Sequence, residues 1–160
     1  MYRLTKKICY SDPSRLDMVR KLMTCHNRLI IFYQFNFELE ILRTLVDSIP
    51  VYEWNGHKKH SHKLFENQDR WVYLVQYVSG SEAWNCVSTD AMILYSLTYS
   101  FKNFEQSMGR IDRLDTPYTF LFYYCLVSNI WLDRAVKRSL GEKRNFNERN
   151  YDVNKEFQFD

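Results

Sequence analysis

Apolar residues fall in short runs, set apart by amphipathic stretches. Arg28 to Phe35 (RLIIFYQF), Val51 to Trp54, Trp71 to Tyr77 (WVYLVQY), Ala91 to Tyr95 and Thr119 to Leu126 (TFLFYYCL) each read as a strand. Most are nearly continuous in apolar character, as in strands covered on both faces. Between them lie helical patterns. Ser11-Asp12-Pro13 predicts a helix start, with Asp12 or Ser11 as cap and Pro13 in the first turn, and a helix to about Thr24. Phe37, Ile41, Leu42, Leu45 and Val46 form an amphipathic stripe that Asn36 could cap. Phe101 to Arg113 predicts another helix, stopped by Asp115-Thr116-Pro117, and Asn129 to Leu140 a last one, with Gly141 as its C-cap. Asn55-Gly56 signals a turn, His57 to Asp69 a polar loop, and Ser79-Gly80-Ser81 a break.

Strands alternating with helices, without internal repeat, predict an α/β fold with a parallel sheet and helices on both faces. The 160 residues suit one domain. Residues 1–27 read as an N-terminal segment with a helix, 28–142 as the lobe, and 143–160 as a polar tail. Ligands of such sheets bind beyond the carboxyl ends of the strands. The segments Gln34-Phe35, Asn55-Gly56, Ser79-Gly80-Ser81 and Ser96 to Ser100 are therefore the places to expect chemistry.

Composition narrows the options. Twelve Tyr and eleven Phe imply a folded chain. A net charge of +3 permits nucleic-acid binding without demanding it. Cys9, Cys25, Cys86 and Cys125 are scattered with no C-x-x-C pair, so reduced thiols in a cytoplasmic protein are expected. His57, His60 and His62 sit among Lys58, Lys59 and Lys63, which oppose a cation, and no metal site is expected there. No run approaches the ~20 apolar residues of a membrane span.

The segment Gln106-Ser-Met-Gly-Arg110-Ile-Asp-Arg113 is the most informative. On a continuous helix Gln106, Arg110 and Arg113 share one face at i, i+4, i+7. Gly109 would then sit inside the helix, at a cost of roughly 1 kcal/mol against Ala, as if something approached its backbone. Arg keeps its charge and forms forked hydrogen bonds to phosphate oxygens, so the arrangement suits a polyanion such as a nucleotide triphosphate, although arginine pairs on helices are usually solvated surface charge.

Taken in order, these blocks resemble the second RecA-like lobe of superfamily 2 helicases. The likeness is greatest to bacteriophage helicases and their bacterial relatives, and more distant to Swi/Snf-type translocases. Arg28 to Phe35 resembles motif IV, Val51 to Gly56 the next strand and its turn, Leu74 to Asn85 motif V, and Gln106 to Arg113 motif VI. The resemblance implies a single RecA-like lobe with Arg113 as arginine finger, Arg110 as a second phosphate contact, and Gln106 orienting a phosphate oxygen or water. It implies that Gly80, Glu82, Asn85 and Gly109 adjoin the nucleotide. It also implies that Gln34, Asn55, Gly56, Gln76 and Tyr77 touch DNA, although aromatics this frequent are more often core. Ser79 and Ala83 depart from the family's Ala and Gly. No G-K-[ST] phosphate loop and no magnesium-binding Asp-Glu pair occur in the sequence. ATP with Mg2+ is therefore expected on a separately encoded N-terminal lobe, in a bacterial or phage-infected cytoplasm, and no hydrolysis is expected from this chain alone. The alternatives are a truncated, inactive remnant that binds DNA or protein, and an unrelated α/β interaction domain.

Overall fold

The computed structural model describes residues 2–79 and 84–147. Two helices open the chain, α1 (Tyr2–Tyr10) and α2 (Pro13–Cys25), followed by β1 (Arg28–Tyr33), α3 (Asn36–Arg43), β2 (Val51–Trp54), β3 (Trp71–Gln76), β4 (Ala91–Leu94), α4 (Phe101–Met108), β5 (Phe122–Cys125) and α5 (Trp131–Gly141). The five strands form one parallel sheet in the order β2-β3-β1-β4-β5. The expected parallel sheet with helices on both faces is what the chain forms.

Period-two alternation splits the strand residues between two cores. Ile30, Phe32, Trp71, Tyr73, Val75, Met92 and Leu94 pack with Leu132, Ala135, Val136 and Leu140 of α5 and with Phe101, Phe104 and Met108 of α4. Leu29, Ile31, Tyr33, Val72, Leu74 and Ile93 pack on the other face with Val19 and Met23 of α2 and Leu39 and Leu42 of α3. Burial on both faces is why β1 and β3 read as unbroken apolar runs.

Local chemistry sets the helix ends. Asp12 caps α2 by accepting the Ser14 N–H at 2.9 Å, with Pro13 in its first turn, as expected. Asn36 does not cap α3: the N-cap position is Phe35, and Glu38 reaches back to the N–H groups of Gln34 and Phe35, each at 2.9 Å. The helix expected to run to Arg113 ends at Met108, with Gly109 as its C-cap. Gly141 closes α5 as a helical residue, and the left-handed conformation falls instead on Lys143 (φ 57°). The loop expected over His57 to Asp69 is present, but Phe65 within it is buried and stacks on Tyr52 at 4.1 Å.

Candidate functional site

The candidate residues divide into two groups. α4 leaves the carboxyl end of β4 and the chain then returns to the amino end of β5, so Gly109 to Arg113 lie toward the amino half of the sheet. Gln34, Asn55, Gly56 and Gln76 lie at the carboxyl ends of β1, β2 and β3.

In the first group the three polar side chains do not share a helical face, because α4 stops before Arg110. Gln106 is half-buried in the last turn of α4. Gly109 has an ordinary backbone (φ −71°, ψ 0°), and a Cβ there would meet only carbonyl oxygens at 3.7 and 3.8 Å. Nothing presses on it; its position ends the helix. Arg110 is 8% exposed. Its Nη1 donates to the Trp84 carbonyl at 3.0 Å, and its guanidinium carbon lies 5.3 Å from the Trp84 ring centre. The Arg110 carbonyl in turn accepts the Cys86 N–H at 3.0 Å. Arg110 therefore fastens the β3–β4 crossover to the end of α4. Burial lowers its pKa, and the nearby charge of Arg113 lowers it further. That second influence places the two guanidiniums within electrostatic reach of each other.

Arg113 is different. It is exposed, and its guanidinium makes no hydrogen bond or ion pair with another described residue. Leu114 beside it is fully exposed, and Phe120, in the same connection, is 73% exposed. The molecule thus holds one arginine fixed and one reaching outward, next to bare apolar surface. In the motif V-like segment, Asn85 is exposed, Trp84 is buried, and Gly80, Glu82 and Ala83 lie outside the described residues.

In the second group, Asn55 is 3% exposed and engaged. Its oxygen accepts the N–H groups of His57 and Lys58, each at 2.9 Å, and its amide donates to Glu53 at 3.1 Å. Arg43 grips Glu53 with two bonds of 2.9 Å, which holds the Glu53 carboxyl below the usual range. Asn55 therefore builds the turn rather than offering its amide to a ligand. A Cβ on Gly56 would meet nothing within 4 Å. Gln76, Asn55 and Gly56 nevertheless line one cavity of about 390 Å³. Gln76 also makes long contacts to the Gln34 carbonyl and to Asn36, at 3.4 and 3.3 Å. Tyr77 corrects the sequence expectation: it is 3% exposed, its hydroxyl donates to the Ser96 carbonyl at 2.8 Å, and its ring packs 5.3 Å from Phe32. It has no surface to offer DNA.

Two arrangements went unread in the sequence. Glu38, fully buried, accepts from Gln34, Phe35 and the Ser96 hydroxyl through one oxygen, and burial pushes its carboxyl pKa up despite those bonds. Arg15 of α2 and Asp133 of α5, 118 positions apart, form a buried pair at 2.8 Å. No local spacing could have announced it. Among the described residues, no group of three or more His, Cys, Asp or Glu side chains is placed to hold a metal ion, and no helix is long and apolar enough to cross a membrane.

No family model matches the sequence, and no curated protein matches it. Among solved structures the chain is similar to the C-terminal part of the Fun30 ATPase domain, with a TM-score of 0.70 and 16% identity. The likeness covers 86% of this chain and 47% of that one, so the chain spans about half the length of that structure. At this level of identity the likeness is one of architecture, and the architecture is a RecA-like α/β lobe.

Proposed function

We propose that this chain is the C-terminal lobe of a superfamily 2 DNA helicase or translocase, completing the ATP site of an N-terminal lobe that lies outside this sequence. One observation carries the reading. Arg113 stands exposed, with no described partner, beside the anchored Arg110, on a fold shared with the C-terminal part of an ATPase domain.

The residues fit part of a nucleotide site. Arg113 suits the oxygens of a transferring phosphoryl group, and Gln106, half-buried in the last turn of α4, is assigned by the resemblance alone to orient a phosphate oxygen or water. The sequence holds no phosphate loop, so ATP and Mg2+ would be bound mainly by the other lobe. The Arg110 interactions with Trp84 and Cys86 make it a positioning residue, which ties the motif V-like crossover to the base of the finger. The exposed Leu114 and Phe120 supply apolar surface for the facing lobe. DNA contacts fall to Gln34, Gln76 and the rim around Gly56, with Asn55 shaping that rim from within.

Mixing or joining the chain with an N-terminal lobe that carries a phosphate loop should yield DNA-stimulated ATP hydrolysis that neither part shows alone. Association without hydrolysis would favour an inactive binding module and defeat the assignment.

A further inference from the structure

A second cavity, of about 640 Å³, opens between α1 and the loop after β1, and neither Arg110 nor Arg113 lines it. Its charge is one-sided among the described residues: Arg3, Lys6 and Lys7 line it, and no described acidic side chain does. These cations stand at i, i+3 and i+4 of α1, on one face of the helix. Lys6 is largely buried, its ammonium 4.1 Å from the Tyr99 ring centre and 5.3 Å from that of Phe35. Arg3 and Lys7 are exposed, and neither head group meets another described residue.

The floor is aromatic. Phe35 and Phe37 stack almost parallel, with centres 5.5 Å apart and planes 7° apart, and Phe35 also stacks on the buried Tyr10 at 6.2 Å. Phe37 is the half-exposed end of this stack. Gln34 adds a shielded side-chain oxygen that finds no donor among the described residues. Cations that follow a backbone, combined with a rigid ring that accepts any base, are what single-strand binding requires.

We infer that this cavity binds single-stranded DNA, with one base stacked on Phe37 and the flanking phosphates held by Arg3 and Lys7. The inference rests on the reading above for the identity of the polymer and adds the strand form and the subsite. A duplex keeps its bases inside and would leave the aromatic stack unused. Leu4 and Ile8, exposed on the same helix, would be the recognition surface if the occupant were instead a protein.

The test uses the full chain and three labelled probes: an oligothymidylate, an abasic strand of equal length, and a duplex. Fluorescence anisotropy reads binding at several salt concentrations. The oligothymidylate should bind more tightly than the abasic strand by roughly 5- to 150-fold, the range for one stacked base. Phe37→Ala should erase that difference, and Phe37→Trp should preserve it, which separates stacking from misfolding. Arg3→Ser with Lys7→Ser should weaken both strands and flatten the salt dependence. Equal affinity for thymidylate and abasic strands, or preference for duplex, would overturn the inference. So would a complex with a protein lobe that depends on Leu4 while no strand binds. Arg113-dependent hydrolysis without base preference would overturn this inference alone. Base-dependent binding without such hydrolysis would overturn the lobe assignment alone.

Discussion

Replacing Asp133 by Ala should cost the fold about 3–5 kcal/mol, a large share of the roughly 5–15 kcal/mol that holds a domain together. Asp133 is 2% exposed and Arg15 6%. One carboxylate oxygen accepts from the Arg15 guanidinium at 2.8 Å, from the Ser128 N–H at 2.8 Å and from the Ser128 hydroxyl at 2.7 Å; the other accepts from the Tyr10 hydroxyl. Arg15 also donates to the carbonyls of Leu126, at 3.1 Å, and Tyr95. Removing the carboxylate strands a buried guanidinium and three further donors, so the loss exceeds that of an ordinary contact. Ser128→Ala, which deletes one hydroxyl donor, should cost only about 1 kcal/mol. Arg15→Met and Asp133→Leu each leave a lone buried charge, whereas the double variant leaves neither. The double should therefore fall short of the summed singles by about 2 kcal/mol. Urea unfolding followed by tryptophan fluorescence measures all of these. A cost below about 1 kcal/mol for Asp133→Ala, or additive singles, would refute the view that this pair clamps α1 and α2 to the sheet.

Further outcomes follow from the same geometry. Gly109→Ala should be neutral or stabilising by up to about 1 kcal/mol, because its backbone is ordinary and a Cβ meets only normal contacts; a loss above about 1 kcal/mol in thermal unfolding would restore the idea of a close approach. Tyr77→Phe should lose about 1 kcal/mol with DNA affinity unchanged, since its hydroxyl serves only a buried carbonyl. Glu38 and Glu53 should give opposite pH slopes in urea unfolding. The raised pKa of Glu38 gives stability that is full below the unfolded carboxyl range and lost as pH rises through the folded value, so wild type should weaken relative to Glu38→Gln as pH rises. The lowered pKa of Glu53 gives stability present above the unfolded range and lost as pH falls through the folded value, so wild type should lose its advantage over Glu53→Gln in acid.

Much of the architecture was legible because burial on both faces leaves a plain mark. β1 through β4 were read close to their true bounds, and the α2 start followed from Asp12 and Pro13. β5 is shorter than TFLFYYCL suggests because its partner β4 offers only Ala91 to Leu94 for pairing. α1 was harder to read because its pattern is inverted: Lys6 is buried against rings while Leu4 and Ile8 face solvent. For α4, taking Asp115-Thr116-Pro117 as the stop carried the reading past Gly109, although glycine is a common helix terminator. In the candidate site, the resemblance pointed to Arg113, but residue type could not tell an outward arginine from an inward one. That distinction depends on Trp84, which reaches Arg110 across 26 positions. Asn55 and Tyr77 were misjudged for a related reason, since polar atoms beside a cleft can be spent on the fold itself.

The most direct test of the central claim is the turnover of ATP by the assembled two-lobe enzyme, with Arg113 intact and with Arg113→Ala. The account predicts a kcat lower by about 10³-fold or more in the variant, with the lobes still associated and KM for ATP changed far less. A kcat within about threefold of wild type would contradict it.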